Sequence, residues 1–383
     1  MNLLFLLNSD FGVQKTIGAR ALPIAKEIVE QDKKLIVFCR DFNKKLINNY
    51  NLIKVVPFGR PIMRFLSGIP VYVSKSISTN EIKNFIFEFF LIRKLKKVDL
   101  NKVEIVHSWD FLPGVYKFVK SKNPKIKIIQ DVAMAFPNVL ENIKDKEEPW
   151  KGEKLKIPEY MKKAIRYIDV FVAPSEFVKE SLINEGIGEK KIYVIPFGVD
   201  IERFKPLKNK NYGGKFKVAF VGAVNHRKGI KYLVKAWKEL NLRNAELNLY
   251  GRVYPDVRKY LKNAGVYNIK IHGFVDISKE LSKNSIYVFP SLLEGSSKST
   301  YEALACGLPV ITTFNSGSVV NDGKEGFIIP VQDAEAIKDK ILFFYNNRKE
   351  IEKFGEKARE LAEKYTWGVY AENINKAYEN ILG

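Results

Sequence analysis

The strongest constraint on this chain is an alternation of two hydrophobic periods along its length. Short β-branched runs, "LLFLL", "KLIVFC", "VEIVH", "IKIIQ", "DVFVA" and "IYVIP", punctuate the first half, and "FKVAFVG", "ELNLY", "IKIHG", "IYVFP" and "PVITT" the second. Between them lie stretches such as 230–240 and 334–344, with apolar residues at the three- and four-residue spacing of a half-buried helix. Strand and helix in alternation imply parallel sheets covered by helices on both faces. The pattern starts again at Phe216, after the turn-rich "FKPLKNKNYGGK" with Pro206, Gly213 and Gly214, where a domain boundary belongs. The expectation is an α/β chain with two doubly wound Rossmann-like domains, residues 1–204 and 205–365, and a last helical stretch, 366–383, that crosses back onto the first. Such domains face each other across a cleft at the carboxyl ends of their strands, where open α/β sheets bind ligands.

Composition narrows the partners. Cys39 and Cys306 are the only cysteines, too few for a disulfide framework, which suits a reducing, cytoplasmic compartment. The opening "MNLLFLLNSDFG" has no basic stretch before its apolar run and no small-residue cleavage site after it, so it reads as a first strand. No uncharged apolar run reaches the ~18 residues of a bilayer span. The net charge of +21 would suit an anionic substrate, an acidic membrane surface or nucleic acid. The lysines are spread over both halves without an RNA-binding signature, so no specific nucleic-acid partner is expected.

Three stretches carry chemistry. In "EGSSKSTYE", residues 294–302, a strand has ended at Pro290 and a helical pattern begins near Ser297. Glu294 then sits in the loop and Glu302 on the helix. Free N–H groups at that helix start, with Gly295 permitting close approach, suit a phosphate. Ionised carboxylates beside it suit paired hydroxyls, because they only accept hydrogen bonds; spacing alone is equally met by a solvated loop charge and a surface helix residue. In "FVGAVNHRKGIKYLVKAW" a strand ends at Gly222 and the loop after it carries Arg227 and Lys228. Two cations there could neutralise a diphosphate without a metal, Arg through its fork and Lys as a point charge, or could be two ordinary surface charges. In "VEIVHSWDFLPG", His107 ends a strand at the rim expected to face the cleft, and Asp131 ends the strand "IKIIQ" at an equivalent rim position. Either could be structural.

Taken in order, "APSEFVKESLINEGIGEKKIYVIPFGVDIERFKP", "FVGAVNHRKGIKYLVKAW", "FPSLLEGSSKSTYEALACGLPVITT" and "VVNDGKEGFIIP" resemble the retaining, GT-B-fold glycosyltransferases of family 4, the group 1 type. The resemblance is close from about 170 to 370 and loose before that. It implies a nucleotide-sugar, UDP- or GDP-linked, bound in the cleft, with the acceptor mainly against the first domain. It implies that Glu294 holds hydroxyls of the transferred sugar and Glu302 the ribose. The backbone of Gly222, Gly295, Ser296, Ser297, Lys298 and Ser299 would lie near sugar and diphosphate, with Lys228 on the diphosphate. His107 would sit near the reacting sugar, Gly12 in a loop closing on the phosphates, and groups near Phe274 and Val275 against the base. No metal or cofactor is implied.

The chain departs from the family pattern in places. Ala223 stands where many relatives have Arg, leaving Arg227 as the second cation; Gly12 stands alone where a pair of glycines is usual; Phe197 replaces an Asn. One first-half segment bears on the acceptor: "EIKNFIFEFFLIRKLKKVDL", residues 81–100, has little polar face before a run of cations. Such a helix is either buried all round, the ordinary core solution and the expected one, or partly seated in a membrane interface beside a lipid-linked acceptor. The function expected is transfer of a sugar from a UDP- or GDP-sugar to a hydroxyl of a sugar or lipid-linked acceptor, peripheral to the inner membrane surface if the second reading holds. The alternative is a nucleotide-sugar-binding protein with epimerase activity or no turnover.

Overall fold

The computed structural model describes the chain except residues 14–16, 47, 58–78, 142–156, 209, 211–212, 264 and 266–267. The apolar runs form strands Asn2–Phe11 (β1), Lys34–Phe42 (β2), Asn51–Lys54 (β3), Ile105–Ser108 (β4), Lys127–Asp131 (β5), Val170–Ala173 (β6) and Ile192–Val194 (β7). After the turn-rich stretch come Phe216–Val221 (β8), Ala245–Tyr250 (β9), Ile269–Gly273 (β10), Ile286–Phe289 (β11), Val310–Thr313 (β12) and Gly326–Ile329 (β13). They build two sheets, ordered β3-β2-β1-β4-β5-β6-β7 and β10-β9-β8-β11-β12-β13. Neighbouring strands pair in parallel, for example β1 with β4 and β8 with β11. Central strands such as β4 and β11 are buried along their whole length, which is why their sequences read as continuous apolar runs instead of alternating ones.

In each sheet the strand order reverses once, between β1 and β4 in the first and between β8 and β11 in the second. The carboxyl ends of strands flanking such a reversal splay their loops apart and leave a crevice. The stretches singled out above follow these strands: Gly12 after β1, His107 on β4, Arg227 and Lys228 after β8, and Glu294 after β11.

The sheets meet through these loops. The Ser175 hydroxyl, which also caps the helix Glu176–Ile183, donates to the Gly295 carbonyl at 2.6 Å, and the Ala135 N–H donates to the Glu294 carbonyl at 3.3 Å. A Cβ on Gly295 would collide with the Ala133 carbonyl of the first sheet, so glycine lets the backbones approach. The chain crosses between sheets twice, and the crossings lie side by side: Val199 bridges Thr366 in parallel, its N–H donating to the Tyr365 carbonyl at 2.8 Å. The final helix, Trp367–Leu382, starts at a Thr366 cap and packs against Gly18–Glu30 of the first sheet's layer. Lys33 pairs with Glu379 there at 3.1 Å.

The helix Thr79–Leu95 differs from the expectation of burial all round. Phe87, Leu91 and Leu95 are buried in the first domain's core, whereas Ile82, Phe85 and Phe89 face solvent. Anchoring residues recur every four positions and fill one face only.

Candidate active site

The loop after β8 forms a 3₁₀ turn, His226–Lys228, that starts where the Asn225 side chain accepts the Lys228 N–H at 3.2 Å. Gly229 ends it at φ +69°, and a Cβ there would strike the Pro290 carbonyl. Glycine at this position therefore lets the loop after β8 pack directly on the loop after β11. The result is a tight ionic cluster. One carboxylate oxygen of Glu294 accepts from Arg227 Nη1 at 2.7 Å, from the Ser291 hydroxyl at 3.1 Å and from Lys228 Nζ. Arg227 Nη1 also donates to the Leu293 carbonyl at 2.6 Å. Burial lowers the Lys228 ammonium pKa, opposed by Glu294.

Beside the cluster begins the helix Lys298–Ala305, with no side chain capping its start at Ser297, so its first N–H groups are available to an anion. The serine hydroxyls before and in its first turn are engaged in the fold. Ser296 donates to the Gly317 carbonyl at 2.8 Å and Ser299 to the Val221 carbonyl at 3.2 Å, while Ser297 and Ser299 bond each other at 3.0 Å. What this loop offers a ligand is its backbone. One turn into the helix, burial raises the Glu302 carboxyl to about 7, against the pull of Lys298 and Arg203. Lys298 is lowered to about 8 by burial and by Arg20, and lies 5.4 Å over the Trp367 ring. The Tyr287 hydroxyl donates to Ser299 at 2.7 Å; burial raises its pKa, and the charges of Glu302 and Glu294 add to that.

The first sheet contributes differently from expectation. His107 is fully buried: its ring stacks on Trp109 at 4.1 Å, and Nδ1 bonds the Tyr378 hydroxyl of the final helix at 2.5 Å. Burial and the nearby Arg20 push its pKa down to about 3, so it is a neutral core group, and Trp109 and Asp110 stand at the rim in its place. Asp131 is also buried. It pairs with Arg20 at 3.2 Å and accepts from the Tyr370 hydroxyl at 3.3 Å, yet it still lines a cavity of about 550 Å³ together with Trp109, Asp110, Arg40 and Lys83. Burial raises Asp110 to about 6, although the Asn8 N–H donates to it at 2.7 Å. Gly12 has φ +67°, and a Cβ there would run into the Leu46 side chain. Gly222 carries the β8 ladder on to the Tyr250 carbonyl at 2.9 Å. Phe274 and Val275 are exposed at the carboxyl end of β10, on the same edge as the cluster.

Residues 18–203 match the family described as Glycosyltransferase Family 4 and residues 215–347 that described as Glycosyl transferases group 1. The chain belongs to this glycosyltransferase family. An uncharacterized glycosyltransferase of Methanocaldococcus jannaschii is 28% identical over 227 residues, 58% of this chain and 62% of the relative. The capsular polysaccharide biosynthesis glycosyltransferase CapM of Staphylococcus aureus is 30% identical over 235 residues, 55% of this chain and 61% of CapM. The match thus spans about three fifths of these curated relatives. Anabaena HepE, solved in complex with UDP, superposes with a TM-score of 0.70 at 14% identity, covering 99% of this chain and all of HepE. That likeness shows a shared GT-B fold. In this family 4 chain, Arg20, Trp109, Asp110, Tyr370 and Tyr378 are site-adjacent groups that sequence reasoning missed. For Trp109 and Asp110 a signal existed, since they follow β4 directly at the reversal of strand order.

Proposed function

We propose that the chain transfers a sugar, with retention of configuration, from a UDP- or GDP-sugar to a hydroxyl acceptor in polysaccharide, glycolipid or glycan synthesis. The observation that carries the reading is the Arg227–Lys228–Glu294 cluster at the switch point of the second sheet. Glu294 is the counter-ion of both cations. A diphosphate entering beside the uncapped helix start takes over that part, and Glu294 is released to accept from sugar hydroxyls. As the glycosidic bond breaks, charge builds on the β-phosphate, and Arg227, Lys228 and the helix N–H groups stabilise it. Charge neutralisation falls to these residues, so the proposed reaction needs no added metal or cofactor. Glu302 accepts from the ribose. Family membership and the UDP-bound HepE neighbour support the choice of donor, and CapM supports a role in polysaccharide synthesis.

The acceptor enters the 550 Å³ cavity of the first domain, whose Ala133–Ala135 wall touches the Glu294–Gly295 loop. The proposed setting is cytoplasmic; both cysteines are free and buried, and no helix among the described residues is long and apolar enough to cross a membrane. The test is a thermal-shift panel of nucleotide-sugars followed by transfer assays. A ligand at ~100 times its Kd adds about 2.7 kcal/mol, so the cognate compound should stand out. Glu294→Ala should then keep nucleotide binding and lose transfer. A panel without any stabilising nucleotide-sugar, or full transfer by the variant, would sink the assignment.

A further inference from the structure

The helix Thr79–Leu95 is held to the domain by one face and leaves another without a partner among the described residues. Ile82, Phe85 and Phe89 are 37%, 69% and 48% exposed. They stand at i, i+3 and i+7, which is one stripe opposite the buried Phe87, Leu91 and Leu95. Large apolar side chains this open are costly in water, and three in a row along a helix mark a contact surface. The stripe continues into cations: Arg93, Lys94, Lys96 and Lys97 are all exposed, and every exposed charged residue from 82 to 97 is positive. The Arg93 guanidinium lies 4.2 Å over the Phe89 ring, so charge and apolar surface form one patch about 22 Å long at 1.5 Å per residue.

The geometry points to an anionic bilayer surface as the partner of this face: Phe85, Phe89 and Ile82 enter the headgroup–acyl boundary while Arg93, Lys94, Lys96 and Lys97 lie on acidic headgroups. Apolar residues backed only by cations complement an acidic membrane. A second copy is disfavoured on the same ground, because a twofold contact sets the patch against itself and brings like charges together. The first turns of this helix also supply Lys83 and Asn84 to the wall of the 550 Å³ cavity. A chain seated by this face therefore holds the cavity beside the bilayer, where a lipid-linked acceptor can reach it without leaving the membrane. That last role rests on the glycosyl-transfer reading above; the binding itself does not.

Vesicle flotation of the full chain tests the proposal. With a phosphatidylcholine–phosphatidylglycerol mixture the protein should float, and with phosphatidylcholine alone it should stay below. Phe85→Ser/Phe89→Ser should reduce partitioning about tenfold or more, and Lys96→Glu/Lys97→Glu at least about fivefold per cation removed. These side chains are exposed, so unchanged thermal unfolding should accompany the loss. A Phe85→Trp variant gives a second readout, a blue shift on adding mixed vesicles that the native chain lacks. No flotation of the native chain with the mixture, equal flotation with phosphatidylcholine alone, or serine variants that float like the native chain would each overturn the proposal. So would a dimer in light scattering that the serine pair dissolves with no vesicle binding. Nucleotide-sugar stabilisation measured on the same samples separates the two readings. Flotation by a chain that no nucleotide-sugar stabilises would count against transfer and leave the membrane face standing.

Discussion

Each site side chain is tuned by what surrounds it, and Glu302 gives the clearest consequence. Its carboxyl titrates near 7 in the folded chain, against 4.5 ordinarily, because of burial. Between those values the folded chain keeps a proton that the unfolded chain has lost, so stability from this group falls as pH rises from 4.5 through 7. Glu302→Gln should remove that slope, read by urea unfolding at about pH 5 and about pH 8. Sequence showed Arg227, Lys228 and Glu294 because each lies in a short loop next to a strand whose apolar run is plain. It misplaced His107 because the partner that buries it, Tyr378, lies 271 residues away. Asp131 was placed at the rim and does line the cavity, but its partners were not visible, since Arg20 and Tyr370 reach it from two other helices.

At the scale of elements, the loops matter more than the strands that carry them. The turn at Gly229 needs φ +69° and has no room for a Cβ under the Pro290 carbonyl. Gly229→Ala should destabilise the fold by about 1–3 kcal/mol in denaturant melts and weaken nucleotide binding as well, because Arg227 and Lys228 lose their setting. The strand pattern was legible for the sheet interiors: each quoted run became a strand, most plainly where a parallel strand is buried on both faces and has no polar side to blur it, whereas the edge strands β3 and β13 carry no such run and were not legible. The helix Thr79–Leu95 was read as buried all round. Its apolar residues leave little polar face, and which side the core takes depends on neighbours that periodicity does not reveal.

Across the whole molecule, the final helix ties the last residues to the first sheet through the Tyr378–His107 and Tyr370–Asp131 bonds. Tyr378→Phe leaves the buried His107 Nδ1 without its partner and should cost about 1–3 kcal/mol in global unfolding, with little direct effect on nucleotide binding in the other half. The two-sheet plan was legible from the restart at Phe216. The route of the return was visible only as one helical stretch more than the second sheet required. That route shapes how the halves can move. Where the chain passes outward near Val199 and back near Thr366, two threads run abreast and are bonded to each other. Paired threads twist about their common line more readily than they lengthen, so opening to admit a bulky donor should resemble the turning of a wrist, with the anchored tail travelling with the forearm.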